Sequence, residues 1–129
     1  MAKYYEANIE EETLENENFR EVLFTGEHSQ LVLMSLLPGE EIGAETHKVD
    51  QFFRIENGEG KAVVDGDEFE VSDGSAVLVP AGLEHNFINT SDAPLKLYTL
   101  YSPPNHIDGR IHPTKSDALA DTLDEEFGH

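Results

Sequence analysis

The chain has 129 residues, with twenty-seven Asp and Glu against eight Lys and Arg and a formal net charge of −19. That field repels a phosphate backbone and an anionic bilayer, and no basic patch offsets it, so neither nucleic acid nor a membrane surface is an expected partner. With no cysteine, a disulfide framework, a thiolate zinc site and a cysteine nucleophile are all excluded.

The length suits one domain over residues 1–129. The N-terminus MAKYYEANIEEE has no apolar signal core, and no run approaches membrane-spanning length, so a cytoplasmic location is expected. The acidity keeps a solvated surface soluble. More sharply, it suits a halophilic setting, where salt screens a self-repulsion that would destabilise the fold in dilute buffer.

In chain order, Ile9–Asn18 is too acidic and too poor in apolar residues to assign. Extended segments follow at about Phe19–Phe24, Gln30–Leu36, Ile42–His47, Gln51–Ile55, Lys61–Asp65, Glu68–Val71, Ala76–Val79, His85–Ile88 and Leu95–Tyr101. Turn signals separate them at Pro38–Gly39, Asn57–Gly58, Asp65–Gly66, Asp73–Gly74 and Thr90 to Pro94. Many short strands with Gly and Pro punctuation, and little helical periodicity, predict an all-β barrel or sandwich. Its core barrel runs over about residues 19–101, with a lid and tail over 102–129. The stretch Leu31–Leu37 is apolar on both faces, and Phe52 projects opposite Gln51. Strands covered on both sides need another layer, and a second subunit in a homodimer is the expected one.

After the last strand, two prolines make Ser102–Asn105 irregular. The excursion that follows, turning at Gly109, is expected to fold over the barrel mouth. His112, flanked by Ile111 and Pro113, is its acid–base candidate. His106 is expected to be an exposed loop residue, and His28 and His129 surface residues. Ser116 is expected to cap a short C-terminal helix whose Leu119, Leu123 and Phe127 pack on the barrel or a partner.

Strand parity groups the polar residues of the middle segment. Glu45 and His47 lie two apart and share a face, and Gln51 shares its face with Phe53 and Ile55. Asp50 falls on the opposite face with Phe52 and Arg54. His85 follows a turn at Gly82 and shares its face with Phe87.

The stretch GSAVLVPAGLEHNFIN, Gly74 to Asn89, places Gly74, Pro80, Gly82, His85 and Asn89 at the spacing of the second conserved motif of the cupin superfamily, which this chain resembles. GEEIGAETHKVDQFFRIENG, residues 39 to 58, resembles the first motif from Gly39 to Gly58, with His47 at its second histidine. Glu45 stands where the first histidine belongs and Gln51 where the glutamate belongs, so the set keeps one negative charge. The resemblance implies a double-stranded β-helix, or jelly-roll, barrel. It also implies one divalent transition metal (Zn, Mn, Fe, Co or Ni) on Glu45, His47, Gln51 and His85. The alternative is a metal-free barrel in which these residues hydrogen-bond each other and a ligand.

The wider pattern, with LYTLYSPP, resembles small cupins labelled mannose-6-phosphate isomerase-like. That implies a metal-dependent, isomerase-like enzyme on a small polar substrate such as a sugar, with His112 moving the proton. Phosphate suits the acidic chain poorly, because only Lys48, Arg54, Lys61, Lys96, Arg110 and Lys115 lie near the motif strands or lid. An Fe-dependent dioxygenase and a non-catalytic small-ligand binding module are the alternatives.

Overall fold

The computed structural model describes residues 3–128; His129 lies outside them. The strands are β1 (Arg20–Thr25), β2 (Gln30–Leu36), β3 (Asp50–Asn57), β4 (Glu59–Val64), β5 (Asp67–Ser72), β6 (Ala76–Val79), β7 (His85–Asn89), β8 (Leu95–Ser102) and β9 (Ile111–His112). The helices are α1 (Ile9–Glu15), α2 (Lys115–Ala120) and α3 (Thr122–Phe127). All strand pairs are antiparallel, in a six-stranded sheet ordered β6-β3-β8-β2-β1-β9 and a three-stranded sheet ordered β5-β4-β7. The two sheets face each other as a jelly roll, and Phe53 of one meets Phe87 of the other with ring centroids 4.2 Å apart. Such aromatic pairs contribute about 0.5–1.5 kcal/mol beyond the area they bury.

Alternation along β3 is clean. Gln51, Phe53 and Ile55 are buried, and Asp50 is exposed, where its Oδ1 accepts from Ala81 N at 2.9 Å. β7 likewise buries His85, Phe87 and Asn89. The expected strand Ile42–His47 is instead an extended segment tied to β7 by two isolated bridges, Glu41↔Ile88 and Glu45↔His85. Gly43 interrupts the ladder with φ of 105°, a conformation that costs a residue with a Cβ. Its N–H donates to the Asn86 side chain rather than to the backbone.

The acidic N-terminal stretch forms α1. The Asn8 side chain caps it by accepting from Glu11 N, and Glu10, Glu11 and Glu12 occupy its first turn, where carboxylates meet the positive end of the helix dipole. α1 lies against β8, β3 and β2, with Thr13 fully buried. Part of the second layer that the two-sided apolar strands require therefore comes from the chain itself.

The C-terminal helix differs from expectation. Thr114, not Ser116, is the cap, in a reciprocal capping box with Asp117. The helix also breaks at Asp121, whose φ of −85° and ψ of 81° are not helical. Leu119, Leu123 and Phe127 stay 69%, 65% and 57% exposed, so this row does not pack on the barrel. Ala118 packs against the core in their place.

Candidate metal centre

The Glu45↔His85 bridge sets these two residues side by side at the open end of the barrel. Gly82, with φ of 92° and its N–H donated to His47 O at 2.9 Å, turns the chain so that His47 closes on the same point. β3 brings Gln51 from the large sheet. The structure thus brings Glu45, His47, Gln51 and His85 together. His47 Nε2 lies 2.8 Å from Glu45 Oε2, and His85 Nε2 lies 3.1 Å from Gln51 Oε1. Ligand atoms of Glu45, His47 and His85 all fall within 4.8 Å of one another. His47, Gln51 and His85 are buried, at 6%, 2% and 3% exposure.

The protonation chemistry of His85 tests whether this set suits a cation. Its Nδ1 faces Leu83 O at 3.1 Å while its Nε2 faces Gln51 Oε1. A neutral imidazole carries one N–H and cannot donate to both. Burial lowers the His85 pKa against the Leu83 hydrogen bond that raises it, which disfavours the doubly protonated form. A cation between Nε2 and Oε1 satisfies both lone pairs, and a backbone carbonyl on Nδ1 is the usual way to fix a ligating imidazole. Without a cation, the Gln51 amide has to turn over, giving up the bond its Nε2 makes to Thr99 Oγ1 at 3.0 Å and taking one from that hydroxyl instead. The donor set fits a metal. For Glu45, burial raises the pKa, but the hydrogen bond and charge of His47, with Arg20 and His85 behind it, leave it lowered, so a carboxylate is ready at neutral pH.

Beside Glu45 and His47 lies a cavity of about 360 Å³, lined on the barrel side by Arg20, Glu45 and His47, and on the lid side by Asn105, His106 and Asp124 among others; Gln51 and His85 are not part of its lining. Gln30 pins the lid. Fully buried in β2, it accepts at Oε1 from Asn105 N and His106 N, at 3.1 and 2.9 Å, and donates from Nε2 to His106 O at 2.8 Å. His106 is consequently 8% exposed, which corrects the expectation of an exposed loop histidine. Its Nδ1 lies 2.7 Å from Asp124 Oδ2 and its Nε2 3.1 Å from the Tyr101 hydroxyl. Burial lowers its pKa although Asp124 raises it, and Arg20 adds to the lowering. Asn105 Nδ2 reaches to 3.4 Å from His47 Nδ1.

His112 is not brought to the four donors and is not among the residues lining this cavity. It is buried in β9 opposite Arg20, with Nε2 2.9 Å from Asp121 Oδ2. That hydrogen bond, with Arg110, holds the Asp121 carboxyl down at about 2. His28 is exposed, as expected. Arg20, Asn105, His106 and Asp124 are cavity residues that sequence reasoning missed.

A cupin domain model matches residues 32–101. The chain is 50% identical over 125 residues to the uncharacterized protein YrkC of Bacillus subtilis, covering 92% of this chain and 67% of that one. It is 44% identical over 112 residues to the uncharacterized protein L612 of Acanthamoeba polyphaga mimivirus, covering 83% and 70%. The crystal structure of BH2720 from Bacillus halodurans superposes with a TM-score of 0.88 at 46% identity, covering 90% and 93%. With the jelly roll and the matched motif segments, these similarities make the chain a member of the cupin family.

Proposed function

We propose that this cupin is a metal-dependent enzyme, isomerase-like in chemistry, acting on a small polar substrate such as a sugar. The observation that carries the proposal is the donor set of Glu45, His47, Gln51 and His85, in which both nitrogens of a neutral His85 face acceptor oxygens. When bound there, a divalent transition metal supplies Lewis-acid polarisation of a substrate carbonyl, which acidifies the neighbouring C–H. His106, inside the cavity, is better placed than His112 to take up or return that proton. Its Nε2 lies 3.1 Å from the Tyr101 hydroxyl.

Elemental analysis of protein purified without added metal tests the proposal. One zinc or manganese per chain is expected, and a His47→Ala/His85→Ala variant should retain less than about a tenth of it. Iron with oxygen consumption would favour the dioxygenase. A wild-type protein that takes up no divalent metal would replace the enzyme with a small-ligand binding module.

The same proposal includes a homodimer in a salt-rich cytoplasm. Leu78 on β6, 65% exposed, continues onto Phe52 and Leu100 across the outer face of the large sheet, an apolar row that a second subunit would cover. The net charge of −19 supports the salt-rich setting.

A further inference from the structure

Arg20 opens β1 and is 7% exposed, and among the described residues its Nε is buried without a hydrogen-bond partner. Its Cζ lies over the Phe19 ring, 5.3 Å from the centroid. A guanidinium stays charged at any working pH; Glu45 and Asp124 feel that charge, but the buried Nε donor is left without an acceptor, which is costly. The neighbouring carboxylates are engaged elsewhere. Glu45 holds His47 at 2.8 Å, and Asp124 holds His106 Nδ1 and Ile107 N, both at 2.7 Å. The group lines the cavity beside Glu45 and His47, so what it lacks is an anion arriving from the cavity.

Charge and size define that anion. Two cations, Arg20 and Lys115, and three carboxylates, Glu45, Asp124 and Glu125, line the space. The balance is one negative charge without a metal and one positive charge with a divalent cation on the donor set, which suits a monoanion rather than a phosphate dianion. A volume of about 360 Å³ lies at the small end of ligand cavities, which span roughly 300–1,000 Å³. A planar carboxylate matches the Arg fork through two parallel N–H···O bonds.

We propose that the cavity takes a small organic acid, its carboxylate paired with Arg20 and the hydroxyl or carbonyl oxygen on the adjacent carbon turned toward Glu45 and His47, the two donors that line it. The second half of this assignment rests on the metal reading above, and so does the cavity's net positive charge; the pairing with the Arg20 guanidinium itself does not. It narrows the substrate from a neutral sugar to a sugar acid or another hydroxy or oxo acid.

Titration calorimetry on the metal-replete protein tests it with matched probes: lactate against lactamide, and gluconate against glucose. Each acid is expected to bind at least about tenfold more tightly than its neutral counterpart, the loss typical of a charge-assisted pair. Arg20→Gln should abolish that preference with metal content unchanged, and Arg20→Lys, which keeps the charge but not the fork, should retain part of it. Equal binding of acid and neutral probes, no binding of either acid at millimolar concentration, or an intact preference in Arg20→Gln would each overturn the proposal. The wild-type comparison stands even if a variant fails to fold. A repeat on chelator-treated protein separates the two readings. If the metal reading alone is wrong, the Arg20-dependent preference survives there; if this inference alone is wrong, metal binds and the preference is missing.

Discussion

Replacing Asp124 with Asn isolates what holds the lid shut. The carboxylate is 3% exposed and receives two short hydrogen bonds, from His106 Nδ1 and Ile107 N, each at 2.7 Å. Asn keeps the shape and one acceptor oxygen but removes the charge. Hydrogen bonds to a charged group contribute about 1.5–3 kcal/mol and neutral ones about 0.5–1.5, so one weakened bond and one lost, since the two donors meet different oxygens, cost at least about 2 kcal/mol. For 129 residues, an unfolding entropy of about 2.1 cal/mol/K per residue converts 2 kcal/mol into a fall in Tm of about 7 °C. The His106 pKa, already lowered by burial and sustained by Asp124, should drop further. Calorimetry together with an NMR titration of His106 reads both quantities. A Tm within 2 °C of wild type, or a His106 pKa that rises, would refute the view that this pair anchors α3 over the cavity.

Acidification should destabilise the fold in two stages. His85 and His106 are held below their ordinary pKa chiefly by burial, so their contribution is complete above about pH 6.5 and is lost below it as the unfolded chain takes up protons the native one refuses. The depressed carboxyls of Glu45, Asp124 and Asp121, the last at about 2, extend the loss below about pH 4; denaturant midpoints measured from pH 8 to 3 in molar KCl, where self-repulsion is screened, should fall monotonically, and a midpoint that rises toward pH 5 there would contradict the buried-neutral assignment. Thermal melts from dilute buffer to molar KCl should show Tm climbing well past about 0.15 M, where ordinary surface pairs are already screened; a flat response would leave the charge of −19 as a solubility feature only.

Strand periodicity and turn chemistry are local, and the sequence carried them well. The alternation in QFFRI placed Gln51 inward and Asp50 outward, and the geometry agrees. Pro80, Gly82 and His85 marked a turn and a strand start that the backbone follows. Those same short-range rules set Glu45 and His47 on one face and Gln51 with Phe53 and Ile55 on another, while the meeting of these residues with His85 was implied by the resemblance to the cupin motifs. Failures began where a polar residue depends on a partner far along the chain. His106 looks like a loop residue until Gln30, seventy-six positions earlier, and Asp124, eighteen later, close around it. Arg20 sits in an ordinary strand sequence, and only the folded lid turns its guanidinium into a cavity wall. Burial of a charged or polar group is decided by what meets it in space. Apolar periodicity could therefore fix the barrel and the faces its donors take, while the contents of the cavity beside them had to wait for the tertiary structure.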